Sequence, residues 1–144
     1  MSLPKPGQYS VQDASLKQTI ALPGAAGTTV NSSNIDLGPL HGISSRPVDF
    51  EILVEVPALT LARLPNTSVE TYTIEASNDP AFGSGVLILG QTTQTGATGT
   101  SSQPAQELRF KVPGTCPEYL RLQIVSDSNG ANASAVSASI QLVF

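Results

Sequence analysis

The chain of 144 residues has one cysteine, one histidine and no tryptophan, and charged residues make up only 12% of it. The single cysteine, Cys116, has no partner for an intramolecular disulfide, and one Cys with one His does not complete a zinc site. These shortages exclude a disulfide-stapled framework and a Cys/His zinc centre. We expect neither a metal nor a cofactor.

The charge balance is mildly acidic. Seven basic and eleven acidic residues give a formal net charge of −4, which supplies no basic stripe for a phosphate backbone or an anionic membrane surface. Residues 1–7 lack the apolar core of a signal peptide, and the apolar runs are shorter than a membrane span. We therefore expect no nucleic acid and no membrane as partner, and synthesis in a cytoplasm without an anchor.

Period-two alternation of apolar and polar residues is the dominant pattern. In residues 48–56 every second residue is apolar, while Asp49, Glu51 and Glu55 lie on the other face, as in a half-buried strand. Further strands are predicted at 17–22, 34–37, 72–76, 86–89, 108–112, 119–126 and 136–142. Prolines and Asx-rich turns separate them, and no segment has helical periodicity. About eight short strands without helical crossovers predict an antiparallel sandwich or barrel.

Two segments do not fit a strand pattern. Residues 1–15 carry Pro4 and Pro6, with Tyr9 and Val11 among their larger apolar side chains, and are predicted to form an extended N-terminal arm. Residues 90–104 carry no charge and are predicted to form a long exposed loop. The length suits one domain, which we assign to residues 16–144.

No motif for catalysis or metal binding is visible. His41 lies in a turn-like stretch, no Gly-x-Ser-x-Gly elbow occurs, and Cys116 has no basic neighbour in sequence that would lower its pKa. Asp79 and Asp127 lie in turn clusters where Asx side chains cap their own backbone, without the ordered spacing of a calcium loop. We therefore predict a protein that is not an enzyme.

The acidic comb formed by Asp49, Glu51 and Glu55 has three interpretations. Its carboxylates can be solvated or paired with cations on neighbouring strands, they can face a basic partner, or two of them can act as a glycosidase pair. The basic residues available for cross-strand pairing are Arg109, Lys111 and Arg121.

The order of segments resembles that of the capsid cement, or decoration, proteins of tailed bacteriophages. The resemblance covers roughly residues 15–144, and its best parts are the turn S-N-D-P-A-F at 77–82 and the strand start P-E-Y-L-R-L at 117–122. These family members are small jelly-roll proteins on the outer surface of a capsid shell. The resemblance implies an all-β, jelly-roll-like antiparallel sandwich and a structural protein without turnover.

The same resemblance implies a location on the virion and a major capsid protein as partner. Sheet edges that can pair with another copy add a homo-oligomer to this expectation. We expect contacts from Tyr9 and Val11 in the arm and from Asp49, Glu51 and Glu55 on the exposed strand face. The competing hypothesis is a carbohydrate-binding sandwich of a tail or adhesion apparatus, against which the absence of tryptophan counts. A hydrolase using His41 or Glu51 is third.

Overall fold

The computed structural model describes residues 16–38, 50–97, 102–112 and 115–143. The predicted arm and His41 lie outside these described residues. Within them the chain forms nine β-strands and no α-helix. The strands are β1 (Lys17–Ala21), β2 (Thr29–Asn31), β3 (Ile35–Asp36), β4 (Glu51–Val56), β5 (Val69–Ser77), β6 (Leu87–Thr95), β7 (Gln106–Lys111), β8 (Tyr119–Ser126) and β9 (Ser137–Val143).

The strands form two antiparallel sheets. Sheet A has the order β1-β9-β4-β7, and sheet B has the order β2-β8-β5-β6, with β3 also paired to β8. The chain passes back and forth between the sheets, so that sequence neighbours such as β7, β8 and β9 alternate between them. This arrangement is an all-β, jelly-roll-like antiparallel sandwich, as predicted.

The core lies between the two sheets and is built from alternate residues of the four inner strands. Ile52 and Val54 of β4 face the interior from sheet A, together with Ile140 of β9, and each is 0% exposed. Leu122 and Ile124 of β8 meet them from sheet B and are also 0% exposed. Burying each such side chain stabilises the fold by about 1.5–3 kcal/mol. The apolar side chains at alternate positions therefore provide most of the free energy that holds the two sheets together.

The structure differs from the sequence predictions at strands β2 and β6. The sequence predicts no strand at β2, because a strand of three residues, Thr29–Asn31, is too short to show alternation of apolar and polar residues. Residues 90–95, predicted as the start of a long loop, instead continue β6 and pair with β5. The six residues look loop-like because glycine, glutamine and threonine replace apolar residues on the inner face, where Gln94 is 1% exposed.

A polar cluster interrupts the core at this end of the sandwich. The hydroxyl of Tyr72 donates to Gln94 Oε1 at 2.8 Å, and the Gln94 amide donates to the carbonyl oxygens of Pro57 and Pro104. The carbonyl groups of Pro57 and Pro104 lie outside the strands, and the Gln94 amide supplies their hydrogen bonds. Because its own polar atoms are satisfied in this way, the amide is tolerated in the core. The cluster therefore joins β5 and β6 to the connections that lead into and out of sheet A.

Glu70 lies beside this cluster as a buried carboxylate. It is 0% exposed, and among the described residues neither of its carboxylate oxygens has a hydrogen-bond partner of ordinary geometry. Burial raises the pKa of Glu70, the negative charge of Asp127 adds to the rise, and the facing Ser126 hydroxyl lowers it. A neutral carboxylic acid is thus the form that the fold favours.

We predict that Glu70→Gln stabilises the protein at neutral and alkaline pH. The raised pKa keeps Glu70 protonated in the fold at pH values where the unfolded chain has already ionised it, so the free energy of unfolding falls as the pH rises from about 4.5 through the raised value. The amide has the same shape and no charge to lose. Urea unfolding should show the variant more stable than the native chain by at least about 1 kcal/mol near pH 8, with a smaller difference near pH 4. Equal curves at both pH values would contradict this reading of Glu70.

Candidate functional site

The outer face of sheet A carries the part of the acidic comb that the structure describes. Glu51 and Glu55 both project from β4, and Leu53 lies between them. Register places Glu55 opposite Ser139 of β9 and Glu107 of β7. Of the other predicted contact residues, Tyr9, Val11 and Asp49 lie outside the described residues, so the structure brings together only Glu51 and Glu55.

The carboxylate of Glu55 is held by two neighbours. Lys17 of β1 forms an ion pair with Glu55 Oε2 at 3.0 Å, and the Ser139 hydroxyl donates to the same oxygen at 2.7 Å. The Ser139 hydrogen bond, followed by the one from Lys17, lowers the pKa of Glu55. Glu55 is therefore an ionised group tied into the sheet surface and is unsuited to act as a general acid.

The other charges of this face also alternate in sign. Arg109 binds Glu107 of its own strand at 2.7 Å, and Lys111 lies opposite Glu51 in the register of β4 and β7. Among the described residues this face carries three acidic and three basic side chains: Glu51, Glu55 and Glu107 with Lys17, Arg109 and Lys111. Cross-strand pairing, one of the three interpretations of the comb, describes Glu55, whose partner Lys17 lies on β1. Arg109 and Glu107 instead pair within β7, and no ion pair among the described residues includes Glu51.

A shallow groove of about 370 Å³ crosses the same face. Its described lining includes Lys17, Thr19 and Glu55, with Ser137 and Ser139 of β9 as small floor residues. None of the described lining residues is aromatic, although aromatic platforms are the usual means by which binding modules hold sugar rings. The groove suits contact with a protein surface better than capture of a small apolar ligand.

Arg121, the third cation considered for the comb, belongs to the other sheet. Its guanidinium binds Glu75 of β5 at 2.7 Å and lies 4.1 Å from the centre of the Phe82 ring. Phe82 comes from the turn at 77–82 and has a φ of 53°, in the left-handed region that aromatic residues rarely adopt. The backbone N–H of Glu118 also donates to Asn78 Oδ1 at 3.1 Å. The two motifs behind the phage resemblance therefore meet in one corner of sheet B.

The carboxylates of Asp79 and Asp127 accept hydrogen bonds from backbone N–H groups, those of Asp79 within its own turn and those of Asp127 from its own turn and from β5. Asp79 accepts hydrogen bonds from the N–H groups of Ala81 and Gly83, one on each carboxylate oxygen. Asp127 accepts from Val69 and Asn129 in the same way. Among the described residues, no group of three or more His, Cys, Asp or Glu side chains is placed to hold a metal ion.

The edge of sheet B has an exposed apolar stretch that the sequence analysis did not single out. Val86, Leu87 and Ile88 are 41%, 48% and 59% exposed and are the large hydrophobic residues that stand out at the described surface. We call residues 86–88 the apolar edge segment. It was predicted as part of a strand, but its exposure depends on β6 being the outermost strand of the sheet, which a local pattern does not reveal.

Comparison with known protein families and with curated proteins finds no match to this chain. In the part of the chain that the structure describes, no helix is long and apolar enough to span a membrane.

We predict that the two ion pairs contribute unequally to stability. Arg121 and Glu75 have side chains only 17% and 10% exposed, whereas Lys17 and Glu55 are 43% and 50% exposed. Arg121→Met should lower the free energy of unfolding by about 2–3 kcal/mol, since a shielded carboxylate loses its charged partner. Lys17→Met should cost less than about 1 kcal/mol. Chemical denaturation of both variants measures the two losses in free energy of unfolding. Equal losses would contradict the prediction, because they would mean that the two ion pairs are equally shielded from solvent.

Proposed function

We propose that the protein is a non-enzymatic phage structural protein that binds the outer surface of the capsid shell and stabilises it. Its partner is the major capsid protein of a tailed phage, and it acts as a homo-oligomer on the virion. The resemblance over residues 15–144 supplies the identity of the partner, and the jelly-roll-like sandwich agrees with the fold that this resemblance implies.

The observation that carries the proposal is the outer face of sheet A. Four of its described charges are paired within the sheet, with Lys17 bound to Glu55 and Arg109 bound to Glu107. Such a face adheres to a partner through many modest contacts and does not rely on a single strong charge. Glu51, which has no ion pair within 4 Å in the described part of the chain, is the acidic group on this face best placed to meet a cation of the shell.

Stabilisation follows from preferential binding. A protein that binds the assembled shell more tightly than the separated subunits shifts the equilibrium toward the shell by mass action. A homo-oligomer engages several subunits at once, which multiplies the effect without stronger individual contacts. No step of this mechanism needs a reacting group.

We predict saturable binding of the purified protein to expanded phage capsids stripped of their surface proteins, including the capsid encoded by its own genome. Co-sedimentation should reach a fixed ratio to the shell subunit, and the melting temperature of the capsid should rise. Absence of binding to every expanded capsid would overturn the proposal, and a preference on a glycan array would then support the carbohydrate-binding alternative.

A charge reversal on each sheet shows which face makes the contact. Glu51→Lys on sheet A should weaken capsid binding at least about tenfold, because a carboxylate at the contact becomes a like charge for the cation it meets. Glu118→Lys makes the same change in charge beside β8 of sheet B and should leave binding within about twofold of the native chain. The opposite ranking would move the contact to sheet B.

A further inference from the structure

The outermost strands of the two sheets differ in how they are protected. Unpaired edges invite pairing with other chains, and proteins blunt them with charges, with very short strands or with bulges. In sheet A, β1 carries Lys17, and β7 presents Glu107, Arg109 and Lys111 as exposed side chains. In sheet B, β2 and β3 are only three and two residues long.

β6 lacks the charge and the shortness of these edges, and the one protective device it has is a bulge. It is nine residues long and pairs only with β5 within the described part of the chain. No residue from 80 to 106 is charged or is a histidine. The nearest carboxylates of the neighbouring strand are unavailable at the surface, since Glu75 is bound to Arg121 and Glu70 is fully buried.

A bulge divides β6 into two parts with different surfaces. Ile74 of β5 is opposite Gly90, but the next residue, Glu75, is opposite Ile88, so Leu89 is the extra residue of β6. After the bulge the strand is polar, whereas the apolar edge segment before it is half-exposed. The bulge interrupts regular pairing at Leu89, so another strand pairs on one side of it. The apolar edge segment, with Val86 directly before β6 and Leu87 and Ile88 within it, is the side whose exposed apolar side chains gain by burial.

We propose that the apolar edge segment binds the same segment of a second copy of this chain, as antiparallel strands related by a two-fold axis near Leu87. This symmetry sets Leu87 against Leu87 of the second copy and Val86 against Ile88, so that apolar side chains meet on both sides. Self-pairing is favoured because an uncharged edge meets itself without like-charge repulsion and offers no charge for a different partner to complement.

This interface describes how two copies of the chain associate in the homo-oligomer proposed above. The inference therefore rests on the proposed homo-oligomer. Its test uses the isolated full-length chain without capsids. A protein that pairs through β6 but binds no capsid would separate the two ideas, as would a capsid-binding monomer.

The test is sedimentation velocity of the native chain over a wide concentration range, with two lysine variants. The native chain should form a reversible dimer. Ile88→Lys places like charges close together at the two-fold interface and should raise the dimer dissociation constant at least about tenfold. Thr29→Lys puts the same charge on the exposed β2 edge of the same sheet and should leave the dimer unchanged.

The result is decisive in each direction. A native chain that stays monomeric at all concentrations overturns the proposal, and so does an oligomer that Ile88→Lys leaves intact. Circular dichroism of Ile88→Lys must match that of the native chain, and Val86→Thr, which adds no charge and keeps a β-branched residue, provides a second variant expected to weaken the dimer.

Cross-linking fixes the register of the two strands. In antiparallel pairing about Leu87 the two copies of this residue come close enough for a disulfide, since directly opposed Cα atoms lie about 4.5–5.5 Å apart. Leu87→Cys should therefore give a covalent dimer under mild oxidation, whereas Thr93→Cys, beyond the bulge, should not. The native Cys116 is buried and serves as the internal control. A covalent dimer from Thr93→Cys alone would overturn the proposed register.

Discussion

The packing of two sheets against one shared core is the constraint on which the rest of this structure depends. The inner strands β4 and β9 of sheet A and β5 and β8 of sheet B supply the fully buried side chains, such as Ile52, Ile140 and Leu122. The remaining strands lie at the periphery, where each is paired on one side only within the part of the chain that the structure describes. How each edge is protected then decides which surfaces stay inert and which can bind.

Function in this chain is accordingly a property of surfaces. The outer face of sheet A carries charges of both signs, two pairs of which are bound to each other, and the β6 edge is an uncharged strand. The two surfaces lie on different sheets, so the proposed pairing with a second copy and the proposed contact with a shell do not compete for the same residues. Glu70, which has no hydrogen-bond partner of ordinary geometry among the described residues, destabilises the fold, and the packing of the rest of the core offsets this.

The sequence predicted the fold class because strands with one buried face repeat every two residues, as in β8, where Leu120, Leu122 and Ile124 are all 0% exposed. Sequence patterns do not predict the strand where polar residues point inward, as at Gln94 of β6. The Gln94 amide is satisfied by carbonyl groups far away in the sequence, and a local pattern does not contain that information. The comb carboxylates Glu51 and Glu55 were located correctly on one face of β4. Their neighbours, and the exposure of the β6 edge, depend on strand order, which alternation does not encode.

Hydrogen–deuterium exchange on the isolated chain, followed as protein concentration rises, tests most directly whether one sheet edge is open while the others are protected. We expect the amides of the apolar edge segment to exchange more slowly as concentration increases, because a second copy satisfies them. The amides of β1, β2 and β7 should exchange at rates independent of concentration. Concentration-independent exchange at residues 86–88, or protection that grows at β7 instead, would contradict the account.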